Sequence, residues 1–455
     1  MNEISSHDAA DTSPAAPGSL DAIYRKIAWR LMPMLFLGFV VSYLDRSNIG
    51  FAKLQMQSEL ALSESVYGLG AGIFFIGYFL FEVPSNLLLH RFGARRWIAR
   101  IMISWGVISA LMFVVRGPLS FYALRFLLGV AEAGLVPGVI LYLTYWFPAS
   151  RRARMVAMFY AAVAASGIIG GPISGGLMKT LQGAHGLSGW QWLFILEGVP
   201  SVLMGFVVWR FLDDSPSKAK WLSDDEKQLV SARLDPPQLV HTSTFNAFVD
   251  PSMWLYTAVY FMLCAGIVGV GLWMPSLVQA TGVHDLFLIG TLTAIPYLVA
   301  IVVMILHGRH SDRTGERRWH IALPMLVGAI GMTLAVRFSH DTTVSLIGLT
   351  LTASGILSAT PPFWSLPVAR LSGRSGAVGV AMVNAVGNLG SFVSPFFIGY
   401  TRDITHSTST GFYSIAVGLC LGALLILMAR VTHAVPGRSD TSAHSLRDQP
   451  LGGRT

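Results

Sequence analysis

Six ionisable side chains interrupt the apolar runs of this 455-residue chain. They are Asp45 and Arg46 in "VVSYLDRSNIGFA", Glu82 in "GYFLFEVPSNLLL", Arg125 and Glu132 in "RFLLGVAEAGL", and Glu197 in "LFILEGVPS". A charge near the middle of an apolar span costs about 2.5 to 3.5 kcal/mol on insertion scales, so those retained have partners and work to do. An arginine keeps its proton, which makes Arg46 and Arg125 fixed positive charges suited to the bidentate binding of a carboxylate or other anion. A carboxylate can be neutralised, so Asp45 and Glu132 are the candidate proton carriers. Adjacent helical residues point about 100° apart, and Asp45 and Arg46 therefore need separate partners. Arg125 and Glu132 are two helical turns apart, about 10 Å along the axis, as suits two groups lining one cavity. The alternative is a clamp between the first and fourth helices. Glu82, beside a proline kink, and Glu197 read as packing or gating residues.

Neutral candidates complete the set. Tyr78 lies near the middle of its run, where it reads either as a cavity residue or as a packed tyrosine with a satisfied hydroxyl. "SATPPFWSLP" places Pro361, Pro362 and Pro367 around Trp364, which is expected to break the tenth helix. Asn384, Asn388 and Ser391, spaced by four and three, share a helix face and can bond substrate hydroxyls or join helices. Tyr260 and Trp273 are weaker candidates. The second half has no Asp, Glu, Lys or Arg in a helix interior by this reading, so charge is handled by the first half.

The elements that must position these groups follow from composition. Hydrophobic residues make up 53% of the chain and charged ones 12%, with a mean hydropathy of +0.57. These values lie outside the soluble globular range and describe an integral membrane protein. About 20 apolar residues cross a bilayer, and the chain offers twelve such windows. The expected fold is an all-α membrane protein of twelve transmembrane helices in two six-helix bundles. Its divisions are a tail over 1–26, a bundle over 27–212, a linker over 213–249, a second bundle over 250–431 and a tail over 432–455. "DDEKQLVSARL" in the linker reads as a short amphipathic helix.

The start of the chain lacks the basic and apolar regions of a cleavable signal. Most of the 32 Lys and Arg residues fall in the tails and even-numbered loops, while Lys53, Arg116, Lys179, Arg337 and Arg402 are assigned to odd ones. Both termini are therefore expected in the cytoplasm. The net charge of +8 belongs to topology and lipid contact, since no soluble basic domain is present to bind nucleic acid. Cys264 and Cys420 offer neither a disulfide nor a metal-ligand spacing, and the histidines, mostly in loops, tails and helix ends, form no cluster in the sequence. Nothing supports an enzyme: there is no nucleophile elbow and no phosphate loop.

The chain is built twice. "RFGARRW" begins at residue 91 and "RTGERRW" at 313, while Pro172 and Pro395 sit in matching glycine-rich stretches. Two repeated bundles imply alternating access around a site at the bilayer midplane. "GRHSDRTGERR" resembles the loop signature of the major facilitator superfamily. Its copy in "NLLLHRFGARR" is degenerate, with Asn86 in place of Gly and His90 in place of Asp. Together with "YLDRSNIGFA", "GARRW", "RFLLGVAEAGLVPGVILYLTYWFP" and "NLGSFVSPFFIGY", the pattern resembles the anion:cation symporters of bacterial organic acids, of the tartrate, phthalate and hydroxyphenylacetate type.

The resemblance implies proton-coupled import of a small organic acid anion across a bacterial-type inner membrane. It implies no cofactor, with a proton gradient as driving force and protons and lipid as partners, in a protein that works as a monomer. It carries the Asp-Arg of helix one and the Arg and Glu of helix four onto Asp45, Arg46, Arg125 and Glu132, and a cavity tyrosine onto Tyr78. The loop copies read as a conformational latch on the cytoplasmic side: Arg91, Gly93, Arg95 and Arg96 in one, Gly308, Asp312, Arg313, Gly315, Arg317 and Arg318 in the other. Against import, "GIIGGPISGG" and "RFLLG" match drug:proton antiporter patterns, so an exporter is the alternative. The bland account is that small residues let helices five and eight approach closely. A membrane sensor on the carrier fold is a further alternative, with little soluble sequence to serve it.

Overall fold

The computed structural model describes residues 17–234, 249–370, 374–407 and 409–429. Among them every regular element is helical. Twelve spans run in order: α1 Pro17–Glu59, α2 Glu64–Phe92, α3 Ala94–Leu111, α4 Pro118–Thr144, α5 Ala149–Thr180, α6 Gly189–Phe211, α7 Pro251–Ala280, α8 Leu286–Thr314, α9 Arg318–Arg337, α10 Thr342–Arg370, α11 Arg374–Thr405 and α12 Ser409–Met428. The spans α1–α6 form one bundle and α7–α12 the other, with α3 packed on α6, α2 on α4, α9 on α10 and α12, and α8 on α10. With an even number of crossings, the start of α1, the linker and the end of α12 share one face, called here the linker face; the other is the distal face.

Two spans are broken where they meet the site. The first piece of α4 stops at Glu132, and the second begins at Leu135. Gly134 turns the chain with φ 87°, and a Cβ there would lie 2.4 Å from Ser85 Oγ, so both backbone and space demand glycine. Pro137 has no N–H to bond Ala133, which removes the hydrogen bond that would have bridged the break. In α11 the pieces Arg374–Gly387 and Gly390–Thr405 leave Asn388 in the gap.

The proline-rich α10 is not broken. Its helix continues through Pro361, Pro362 and Pro367, with Phe363 and Leu366 buried, because neighbouring helices can cover the carbonyls that the prolines leave free. Nor does Pro84 break α2 beside Glu82. At the N-terminal end, α1 starts ten residues before the expected boundary. Ile23, Tyr24 and Ile27 are buried there, Asp21 pairs with Arg151, and Lys26 pairs with Glu226 at 2.8 Å. In the linker a helix spans Asp224–Ser231, closed by a reciprocal Ser223–Glu226 capping box. Residues 1–16, 235–248 and 430–455 of the expected tails and linker lie outside the described residues.

The halves meet through α5 and α8, α2 and α11, and α1 and α7. Backbone touches backbone at these crossings. A Cβ on Gly171 would lie 2.2 Å from Gly290 O, on Gly175 2.2 Å from Leu286 O, on Gly68 2.2 Å from Pro395 O, and on Gly50 2.5 Å from Leu272 O. All of these positions fall in the distal half of their spans. The glycine-rich stretch of α5 is thus a packing seam with α8, as the bland account of that motif holds. Gly171→Leu is expected to leave each bundle folded and to keep the distal face from closing. Labelling of an introduced Ser65→Cys by an impermeant maleimide checks this: the rate should rise severalfold over the parent.

Candidate functional site between the two halves

Asp45 and Arg46 take different partners. Arg46 donates from Nε to Glu132 Oε1 at 2.8 Å, and Ser42 Oγ donates to the same oxygen at 2.5 Å. The break in α4 directly after Glu132 presents its carboxylate to α1. The Arg46 guanidinium also lies over the rings of Phe74 and Tyr78, 5.5 and 5.1 Å from their centroids. Glu132 is 1% exposed, so removing Arg46 alone would strand a buried charge, a loss of about 3 to 5 kcal/mol.

Asp45 points instead into the interior of the first bundle. It accepts from Trp105 Nε1 at 2.6 Å, Ser201 Oγ at 2.7 Å and Ser109 Oγ at 2.8 Å, and is 2% exposed. Its partners are separate from those of Arg46, as the sequence leads one to expect, and its carboxylate lies within electrostatic reach of Glu132. Its charge is solvated by α3 and α6.

Arg125 and Glu132 do not act as neighbours either. Arg125, fully enclosed, donates from Nε to Gly70 O at 3.2 Å and from Nη2 to Ala71 O at 3.0 Å, on the glycine-rich wall of α2. Its guanidinium lies 5.0 Å from the Phe74 ring centroid, on which Arg46 also converges. Arg125 Nη1 and Arg46 Nη2 are buried and make no hydrogen bond among the described residues, although the Tyr78 hydroxyl lies within hydrogen-bonding reach of the Arg46 guanidinium. Glu132 is the carboxylate paired with Arg46, and Glu82 on α2 lies within electrostatic reach of the same guanidinium.

The second half contributes neutral groups, and the structure gathers them. Tyr260 packs against Trp364, centroids 4.7 Å apart, and stacks on Phe363. Asn388 Nδ2 donates to Asn384 Oδ1 at 3.2 Å, and Cys264 Sγ lies 3.6 Å from Asn388 Oδ1. Ser391 and Tyr260 are in hydrogen-bonding reach of Cys264. Cys264 in turn lies in electrostatic reach of Tyr43 on α1, and Tyr260 in reach of Tyr160 on α5. Trp364, Asn384, Asn388, Ser391 and Tyr260 therefore form one wall with Cys264, which sequence spacing gave no reason to include.

Among the described residues, the ion pairs Glu64–Arg402 and Lys179–Asp285 join the halves, and both lie on the distal face. Lys53, assigned from sequence to a loop, is buried inside α1 and pairs with Glu64 at 2.8 Å, its ammonium 3.2 Å from the Trp273 ring centroid. Glu64 also takes Arg402 of α11 at 2.6 Å, and Asp403 accepts from the backbone of Glu64 at 3.1 Å and of Ser65 at 2.8 Å. Lys179 of α5 pairs with Asp285 before α8 and, with the Leu288 N–H, holds that carboxyl below its ordinary range.

The loop signatures, by contrast, bond within their own halves. Gly93 turns α2 into α3 with φ 88°, and Arg95 N–H donates to Asp214 Oδ1 at 3.0 Å, so the carboxylate missing from this copy comes from the end of α6. Arg91 and Arg96 are exposed. In the second copy Arg317 pairs with Asp312 at 2.8 Å and donates to Ser311 Oγ at 2.7 Å, Arg318 reaches Ile426 O near the end of α12 at 3.4 Å, and Gly315 caps α8 with φ 68°. Gly308 faces open space and Arg313 is exposed. Beside them His310 and His320 lie 2.7 Å apart and His307 meets His320 O at 2.8 Å, a clustering invisible in the sequence. It offers no metal-ligand group among the described residues.

Residues 35–395 match the model of the Major Facilitator Superfamily. The chain belongs to the Major Facilitator Superfamily. It is a multi-pass membrane transporter and not an enzyme. It is 47% identical over 410 residues, 89% of this chain and 94% of the other, to a protein of Agrobacterium vitis named "Putative tartrate transporter". It is 39% identical, again over 89% of this chain and 94% of the other, to a protein of Acinetobacter baumannii named "Quinolone resistance transporter". In fold it is similar to a bacterial homolog of the human lysosomal transporter Spinster in an inward-facing and occupied conformation. The TM-score is 0.74 at 16% identity, covering 90% of this chain and 97% of that one.

Arg46→Ala should lower thermal stability by about 3 to 5 kcal/mol because Glu132 loses its counter-charge. Adding Glu132→Gln should restore most of the loss, which a double-mutant cycle of unfolding midpoints measures; additive losses would show that the pair is not coupled.

Proposed function

We propose that this transporter imports an organic carboxylate anion, tartrate-like, sugar-acid or aromatic, together with protons by alternating access. The observation that carries the reading is a pair of buried guanidinium nitrogens without a hydrogen-bond partner beside Phe74. Arg46 and Arg125 converge on that ring with one such nitrogen each, while Glu132 pairs with Arg46 and Glu82 lies within its electrostatic reach. A carboxylate substrate supplies acceptors for both nitrogens. Tyr78 from the first half, with Trp364, Asn384, Asn388 and Ser391 opposite, lines the neutral side and takes hydroxyls or a ring.

Coupling follows from the pair itself. While Glu132 is ionised it holds Arg46. A proton on Glu132 releases the guanidinium for the substrate, so proton and anion binding favour one another. Asp45, bonded to α3 and α6 and within electrostatic reach of Glu132, is a second proton carrier. The distal face, closed by glycine seams and ion pairs, is the periplasmic one, and the linker face with both termini is cytoplasmic in a bacterial-type inner membrane. No cofactor enters; the proton gradient is the driving force, and a monomer contains the whole path.

Export of a drug or metabolite in exchange for protons is the second reading, favoured by the quinolone-named relative. Proteoliposome uptake of labelled tartrate, galactonate, phthalate and 4-hydroxyphenylacetate, with and without an inward proton gradient, separates the two. One acid should accumulate only with the gradient. Arg125→Ala should cut its uptake by about ten- to hundredfold, the worth of one charge-assisted hydrogen bond. Glu132→Gln should abolish gradient-driven accumulation while sparing substrate exchange. Efflux of preloaded organic cations, with no acid entering, overturns import.

A further inference from the structure

Asp45 is not the only carboxylate enclosed in the first bundle. Glu197 on α6 is 4% exposed. Its Oε1 accepts from Ser174 Oγ of α5 at 2.7 Å, and its Oε2 has no donor. The Asn48 amide of α1, fully buried, lies in hydrogen-bonding reach of the Glu197 carboxyl, and its Oδ1 also has no donor. Asn48 Nδ2 lies 3.4 Å from Asp45 Oδ1 on its other side. Asn48 thus stands between two carboxylates.

Amide orientation does not resolve the shortage. With Nδ2 toward Asp45, Glu197 Oε2 and Asn48 Oδ1 are both left without a hydrogen; with the amide turned over, the oxygen takes the place of the donor beside Asp45. In either orientation the group of Asp45, Asn48 and Glu197 lacks one hydrogen. Among the described residues no cation makes up the difference. Of the ionisable groups on α1, α3 and α5, the elements packed on α6, Asp45 is the one that acts on Glu197. Arg46 is held by Glu132 and Lys53 by Glu64, while the basic residues of α3 and α5 lie toward the span ends. Asp45 already has three donors within 2.8 Å, as a charged carboxylate requires, whereas Glu197 has one.

We propose that Glu197 holds a proton in this conformation, donates it in a hydrogen bond to Asn48 Oδ1, and serves with Asp45 as a second proton-binding site distinct from the Arg46–Glu132 pair. The proposal rests on the symport reading only for its role in transport; the proton on Glu197 stands independently. It assigns a proton to a residue that sequence reading left as packing or gating.

Two measurements test it. Infrared spectroscopy of the purified protein at neutral pH should show a protonated-carboxyl C=O band, sensitive to deuterium exchange, that Glu197→Gln removes and Glu197→Asp retains. Should Glu197→Gln fail to fold, Asn48→Leu serves instead: without its acceptor the carboxyl band moves to higher frequency. In proteoliposomes, with whichever acid the uptake panel identifies, Glu197→Gln should lower the number of protons moved per substrate by one and depress net uptake more than exchange. A carboxyl band unchanged by these substitutions overturns the proposal, as does an unchanged proton count. A sodium-dependent rise in Tm, absent with potassium and lost in Glu197→Gln, with no carboxyl band, places a sodium ion there and also overturns it. If no acid is transported but the band behaves as stated, symport fails and the proton on Glu197 remains.

Discussion

The buried ion pair between Arg46 and Glu132 is the interaction on which the rest of the site depends. An ionised pair withdrawn from water is not a cheap device, and a well-packed apolar pair would serve stability as well or better. In the proposed function its value lies in having two states. The guanidinium cannot give up its charge, but the carboxylate can, and the balance of the surrounding charge changes with it. The sequence around the pair is arranged accordingly: α4 is interrupted one residue after Glu132, Gly134 takes the conformation that the interruption needs, and the rings of Phe74 and Tyr78 exclude water from the guanidinium face.

A second constraint is close approach of the two halves. Helices whose backbones touch cannot carry side chains at the crossing, so the distal seam is written in glycines: Gly171 on Gly290, Gly68 under Pro395, Gly50 under Leu272. Charge reinforces the seam unevenly. Lys179 and Asp285 are exposed and worth little, about 1 kcal/mol or less for pairs of that kind. Lys53 is buried with its ammonium covered by Trp273, and Glu64 beside it is largely so, while Arg402 reaches in from the rim; separating Arg402 from this pair is the costlier step in opening the face.

Much of this was legible in the residues. Twelve apolar runs, a duplicated loop motif and six interior charges are local features, and each survives into the fold. The partners of those charges were less accessible, because a side chain's direction depends on which helix lies behind it. Asp45 is solvated by Trp105 and Ser109, an i, i+4 pair on α3 that marks a polar stripe in an apolar helix and could have been noticed. Lys53 was misplaced because α1 continues to Glu59, past the length that a bilayer requires, and nothing stops a helix before Ser63. The three prolines of α10 misled in the opposite sense: a missing N–H breaks a helix in water more readily than among packed neighbours. The interruption of α4 had its own signal in Gly134 and Pro137, which the apolar flanks concealed.

Asp214 carries a different lesson. The first loop copy lacks the acidic residue, and a carboxylate from beyond α6 bonds the backbone N–H of Arg95, where in the second copy Asp312 pairs with the Arg317 guanidinium. Asp214 is also where the linker departs. Asp213 beside it holds Trp221, which stacks on Trp146, and Glu226 further on is tied to Lys26. The early linker is consequently riveted to the first bundle like a collar. This collar forms one body with the first bundle, so the linker leaves that bundle beyond Ser231 and not at Phe211, where α6 ends; Asp214, bonded to the backbone of the first loop copy, sets the anchor point.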